Sequence, residues 1–194
     1  MRTLSLFLLS LTLSVAANAA ETSIHPTAVK ASSTGNGSRL ESVIDGAGLS
    51  NVAGAWVHGN SKYADGGTMW DSAYDAAGAV GQVNLVFDLS TSHQITGLQV
   101  WNFNEKDWQH RGAKDIEVST SVDGTTFTKS GPFTLKQASG QNGEAAQVVK
   151  LTAPATARYV KVVILSNFGS ETPAGLSEVA ILVADPAPTD KVLK

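Results

Sequence analysis

The sequence predicts an all-β protein, an antiparallel β-sandwich, on three observations. Apolar residues recur with a period of two, Gly-containing turns punctuate short apolar segments, and no stretch carries an amphipathic helix of ordinary length. Gln82–Leu89 shows the pattern most plainly: Val83, Leu85, Phe87 and Leu89 fall on one face and mostly polar residues on the other, as in a half-buried strand.

The elements follow in chain order. His25–Ala31 reads as a first strand that ends in the turn-rich Ser33–Gly37. Gly46 to Gly81 reads mostly as loop, rich in Gly, Ala, Asn and Asp; its Trp56, His58, Tyr63, Trp70 and Tyr74 imply that part of it is ordered. Strands are expected at 82–89, 98–102 and 116–120, the last two joined by a polar and aromatic loop, Asn102–Lys114. Ser121-Val122-Asp123-Gly124-Thr125 is a hairpin signal, because Asp-Gly supplies the positive φ of a tight turn, and Phe127 resumes the next strand. Further strands are expected at 147–151, 158–165 and 179–183.

Composition narrows the function classes. The chain has 194 residues, 42% hydrophobic and 16% charged, so it can bury a core without disulfides, and it has no Cys. Thiolate nucleophiles, zinc–thiolate sites and iron–sulfur clusters are excluded. A net charge of −3 offers no basic excess for nucleic-acid phosphates or anionic lipid. Met1–Arg2, the apolar run Leu4–Ala16 and Ala17-Asn18-Ala19 have the charge, length and small-x-small ending of a secretory signal peptide. Residues 1–19 are therefore expected to be removed, with a domain over 20–184, a Pro-broken polar tail over 185–194, and a periplasmic or extracellular destination. No later segment is apolar enough for a membrane span.

Several fragments occur in a telling order: Val43-Ile44-Asp45-Gly46, Met69-Trp70-Asp71-Ser72, Val100-Trp101-Asn102-Phe103-Asn104-Glu105, Arg111-Gly112-Ala113-Lys114-Asp115-Ile116, Val122-Asp123-Gly124, Arg158-Tyr159-Val160 and Gly175-Leu176-Ser177-Glu178-Val179. The set resembles the discoidin, or coagulation factor V/VIII C-type, superfamily, and more closely its galactose-binding-like branch, which includes the family 32 carbohydrate-binding modules. The likeness runs from Ile24 to Val183. It implies an eight-stranded jelly roll with neighbouring termini and ligands held by loops at one end.

The resemblance also implies calcium in a structural role. Asp45-Gly46-Ala47-Gly48-Leu49-Ser50 offers a carboxylate, a flexible turn and a hydroxyl, which suits a hard cation that takes six to eight oxygens. Carried over from the family, Asp45 and Glu178 supply side-chain oxygens, and Gly48 and Ser50 backbone or hydroxyl oxygens. On the residues alone the plainer reading prevails: Asp45 bonds the amides of its own turn, and Glu178 is a solvated strand end.

A sugar presents apolar C–H faces and hydroxyl rims, so its site needs an exposed aromatic plate beside charged or bidentate hydrogen-bonding groups. Asn104, Trp108, His110 and Arg111 provide these in one loop; Trp56, His58, Asn60 and Tyr63 offer a second wall, and Asn167 and Phe168 a third. Each has a plainer reading. Trp70 and Trp101 suit the core, Arg111 suits a clamp on Asp107 or Glu105, and the histidines suit a solvated loop. The family's galactose-type sites combine a His, an Arg, an Asn and an aromatic plate; the Trp-Asn-Phe-Asn to Arg-Gly stretch departs from that pattern. The expected partner is a glycan or cell-surface carbohydrate, with an adhesion or matrix protein that docks another protein as the alternative. An enzyme is the third class. A glycosidase needs two carboxylates across a cleft, whereas Asp115 and Glu117 share one face of one strand. Nucleophile-elbow, His-Glu-x-x-His and phosphate-loop motifs do not occur.

Overall fold

The computed structural model describes residues 20–75, 78–169 and 173–184. The expected signal peptide over 1–19 and tail over 185–194 lie outside the described residues. Eleven strands are described: β1 Glu21–Ile24, β2 Ala28–Ala31, β3 Leu49–Val52, β4 Ala55–His58, β5 Trp70–Asp71, β6 Asn84–Asn102, β7 Asp115–Ser121, β8 Thr128–Thr134, β9 Glu144–Ala145, β10 Gln147–Ile164 and β11 Gly175–Ala184. The all-β sandwich expected from the sequence is what forms.

Two long strands make the sandwich. The segments expected at 82–89 and 98–102 are the two halves of β6, and those at 147–151 and 158–165 are the two halves of β10. Both strands bend where their mutual register slips, between Lys150 and Ala155 and between Ala157 and Tyr159. Ser90, at φ 66°, marks the bend in β6, and Asp88 Oδ1 accepts its N–H. The first half of β6 joins β2 to the second half of β10, which continues into β7 and β8. The second half of β6 joins β11 to the start of β10, with β1 outermost. Every pairing between two of these strands is antiparallel, and Glu21 opposite Ala184 places the two ends of the described fold side by side.

Alternation decides which side chains fill the space between the layers. Val83, Leu85, Phe87 and Leu89 are buried as their period requires, against Ile116, Val118, Val160, Val162, Val179 and Ile181 from the other strands. β11 is buried along nearly its whole length, which accounts for its almost continuous apolar run. β7 and β8 pair as the expected hairpin, but the turn is wider than the tight Asp-Gly turn: residues 122–127 connect the strands, Gly124 alone of the pair has positive φ, at 75°, and the strand resumes at Thr128 rather than Phe127.

The structure corrects the reading of 46–81 as mostly loop. Residues 49–58 form a hairpin, β3–β4, that β9 extends to three strands. Its turn is Ala53-Gly54, both at positive φ, the geometry of a two-residue hairpin turn. The hairpin covers the end of β6, where the buried Trp101 indole donates to the Trp56 carbonyl at 3.2 Å. Trp70 and Trp101 are thus both interior, as the plainer reading held. Among the described residues no helix is long and apolar enough to cross a membrane.

Candidate functional site

The loops at one end of the sandwich converge because three buried groups tie them together. Asn102, at the end of β6, donates to the carbonyls of Ala113 and Lys136 and accepts the Phe103 N–H, closing the base of the 103–114 loop. Gly112 suits this closure, since a Cβ there would lie 2.8 Å from Asn102 Oδ1. Asn104 donates to the carbonyls of Gly59 and Gln141 and accepts the Gly140 N–H, so three loops share one buried amide. His58 is fully buried, its ring nitrogens 2.8–3.0 Å from the carbonyls of Gly59, Ala47 and Thr68. Burial lowers its pKa.

On this frame β5 and its flanks bring together a chain of charges. Asp71 is fully buried; Oδ1 accepts from Lys62 Nζ at 2.5 Å, and Oδ2 lies 3.5 Å from an Arg111 nitrogen. Lys62 is only 2% exposed, a burial lysine tolerates when paired. The Arg111 guanidinium lies 3.9 Å from the Trp108 ring centroid and 5.1 Å from that of Tyr74, while Lys62 Nζ lies 5.2 Å from that of Tyr63. The three rings are exposed, at 45% for Trp108, 58% for Tyr74 and 66% for Tyr63. Burial and the Asp71 charge hold the Tyr74 hydroxyl above its ordinary pKa. Glu105 lies within electrostatic reach of Lys62, Arg111 and Asp71, and burial raises its pKa.

Two exposed rings therefore flank a guanidinium that is itself nearly buried, its side chain 9% exposed, so that only its edge reaches the rim. Arg111 has five N–H groups, and its one polar contact among the described residues, at 3.5 Å, is too long to be a strong hydrogen bond. The expected clamp on Asp107 or Glu105 is replaced by Asp71, 40 residues away in sequence.

The residues singled out from sequence separate into groups. Trp108, His110 and Arg111 share one short turn, where the Trp108 and His110 rings are 5.6 Å apart. Phe168 is half-buried, and its N–H donates to the His110 carbonyl, placing the 165–169 segment beside this turn. Asn167 spends its amide locally, donating to Pro173 O and accepting from Gly169 N. Trp56 is 56% exposed on β4, where its carbonyl receives the Trp101 indole. His58 and Asn104 leave the candidate set, because buried carbonyl partners occupy the polar groups that a sugar would need. Lys62 and Asp71 enter it.

The residues expected around a cation lie as follows. The Gly46 N–H donates to Glu178 Oε2 at 3.0 Å, and His25 Nδ1 is 3.2 Å from Oε1, so the first loop and β11 do meet at Glu178. Glu178 is fully buried rather than solvated; burial, with the Asp45 charge adding to it, pushes its pKa up to about 9. Asp45 accepts its own turn's Ala47 N–H and pairs with Arg39, as the plainer reading had it. Gly48, at φ 81°, packs against the His58 ring, and Ser50 is exposed on β3 opposite Val57. Among the described residues no three His, Cys, Asp or Glu side chains are placed to hold a metal by themselves.

The acid pair weighed for catalysis is occupied by structure. Asp115 accepts from the Thr134 and Ser166 hydroxyls, which lower its pKa, and Glu117 pairs with Lys129 across β7–β8. A hollow of about 390 Å³ at the far end of β7 is lined by Thr120–Asp123, Thr126, Thr128 and Ala155–Ala157. Its carboxylate, Asp123, is held by the N–H groups of Thr125 and Thr126 and by the Ser121 hydroxyl.

Comparison with known proteins gives the same picture at the level of fold. A search of the curated proteins finds no match. Among solved structures, the family 32 carbohydrate-binding module of C. perfringens NanJ in complex with galactose is 16% identical, with a TM-score of 0.60 over 84% of this chain and 99% of that one. The family 32 module of AlyQ in complex with 4,5-unsaturated mannuronic acid is 21% identical, with a TM-score of 0.53 over 82% and 97%. The lectin domain of lectinolysin complexed with Lewis B antigen is 18% identical, with a TM-score of 0.57 over 81% and 93%. The family model of the F5/8 type C domain matches residues 28–179, and the chain belongs to that family.

Proposed function

We propose that this protein is a secreted, non-catalytic carbohydrate-binding module that grips a glycan at the rim formed by Tyr63, Tyr74, Trp108 and Arg111. The observation that supports the reading is the Arg111 guanidinium, nearly buried against two exposed rings and with one long polar contact among the described residues. Rings meet the C–H faces of a sugar while guanidinium N–H groups meet its oxygens. Structures of the same fold bind galactose, an unsaturated mannuronic acid and Lewis B antigen, which supports a glycan ligand here. Secretion follows from the signal-peptide pattern at 1–19. One such rim binds weakly, so firm retention on a glycan surface calls for several copies or a tethered partner.

A glycan array probed with wild type, Trp108→Ala and Arg111→Ala tests the reading. Wild type is expected to bind at least one glycan, and each variant to lose roughly tenfold or more in affinity, about 1.4 kcal/mol, while keeping the wild-type circular dichroism. Folded variants with undiminished binding would move the ligand away from this rim.

The calcium reading belongs to the same proposal. Glu178 and Asp45 would hold the ion together with carbonyl oxygens of the 45–50 loop, and the ion would fasten that loop to β11. Adding about 1 mM calcium to protein stripped with chelator is expected to raise the melting temperature by several degrees, and Glu178→Gln to abolish the rise. An identical transition in calcium and in chelator, with no calcium by elemental analysis, would refute it.

A further inference from the structure

We infer that Glu105 reads the charge of the ligand: its carboxylate accepts a hydroxyl of a neutral sugar and turns a sugar acid away from the Arg111 rim. The inference rests on the carbohydrate reading of this rim and adds to it a class of ligand.

The argument begins with which charges are already spent. The rim holds two cations, Lys62 and Arg111, and two carboxylates, Asp71 and Glu105. Asp71 lies buried between the cations, with one oxygen turned to each. Glu105 is different. It is half-buried in the 103–114 loop, and its carboxylate forms no hydrogen bond or ion pair with any described residue, although Lys62 and Arg111 are near enough to act on it electrostatically. Its backbone is fixed, since its carbonyl accepts the Trp108 N–H that starts the turn carrying Arg111.

The rim thus presents an acceptor without a donor and the edge of a guanidinium that has one long polar contact among the described residues. A polyol supplies both complements at once, because a hydroxyl can donate to Glu105 while a neighbouring oxygen accepts from Arg111. A carboxylate ligand supplies acceptors alone. It satisfies Arg111 but leaves Glu105 facing a second negative charge in a partly dehydrated site, and that juxtaposition discriminates between ligands. Partial burial, which also raises the Glu105 pKa, makes the repulsion stronger than it would be in open water. The fold alone does not impose this choice, since the AlyQ module of the same architecture was solved with a sugar acid.

The experiment uses immobilised hexoses paired with their own uronic acids: galactose with galacturonic acid, glucose with glucuronic acid, and mannose with mannuronic acid. Wild-type protein is expected to bind a neutral member at least tenfold more tightly than its acid. Glu105→Gln, with an unchanged melting curve, should shift that ratio by tenfold or more toward the acid, and Glu105→Asp should keep the wild-type preference. The wild type supplies a second reading that needs no variant. Raising salt from about 50 to about 500 mM screens a repulsion, so binding of the acid should rise relative to the hexose. A wild-type preference for the acid, or a folded Glu105→Gln with the wild-type ratio, overturns the inference and leaves the carbohydrate reading standing. Failure of the wild type to bind any member or any arrayed glycan removes both.

Discussion

Asp71→Asn is expected to destabilise the domain by about 3 kcal/mol, lowering the melting temperature by roughly 10 °C. The substitution keeps the volume and removes the charge, so two nearly buried cations lose the carboxylate between them at one stroke. The backbone contacts of residue 71 stay intact: its N–H donates to the Ser38 hydroxyl, and its carbonyl accepts the Gly35 N–H. A urea melt should therefore show a lower midpoint with an unchanged slope. Lys62→Met should cost less, because Asp71 keeps Arg111 as a partner. The double variant Lys62→Met/Asp71→Asn should be more stable than the two single effects added together, by about 1–3 kcal/mol of coupling. A midpoint for Asp71→Asn within about 0.5 kcal/mol of wild type would mean that the charge chain does not hold these loops.

Little of that chain can be read along the sequence, and the reason is physical. Val83, Leu85, Phe87 and Leu89 announce their burial because strand alternation is local and the hydrophobic effect acts on each residue separately. Asp123-Gly124 marks the chain reversal locally as well, although the connection runs over 122–127 and is held by the Asp123 carboxylate. Lys62 and Asp71 have no such signature. A lysine in a polar Gly-rich stretch reads as solvated, and only the pairing of β5 with β11 carries Asp71 inward, where it meets Lys62 and Arg111.

His58 and Asn104 fail in the opposite direction. Their polar groups suit a sugar, yet the carbonyls of converging loops claim them first, because buried carbonyls must find donors. The Ala53-Gly54 hairpin was hidden because its strands are mostly exposed on both faces and so carry no alternation. Arg111 and Trp108 were legible as residue types. Their mutual contact, and the use of Asp71 in place of Glu105 or Asp107, required the fold.

The second large effect is a stability that depends on pH through Glu178. Its folded-state pKa, about 9, lies far above the ordinary carboxyl value of about 4.3. Over that interval the folded protein keeps a proton that the unfolded chain has released. The stabilisation is therefore fully present below about pH 4.3 and is lost as pH rises toward 9, by about 1.4 kcal/mol per pH unit. In chelator, urea midpoints should fall between about pH 5 and pH 8 with a component that Glu178→Gln removes. At about pH 8 that variant should be more stable than wild type by several kcal/mol, since an amide fits the buried position without ionising. Calcium should reverse the order, because an oxygen ligand must be ionised and the bound ion offsets both the burial and the Asp45 charge. Wild type should then gain stability as pH rises, while the variant stays indifferent to the ion. A wild-type profile in chelator that Glu178→Gln leaves unchanged would show that this carboxylate ionises freely in the fold, and the case for a cation between Asp45 and Glu178 would go with it.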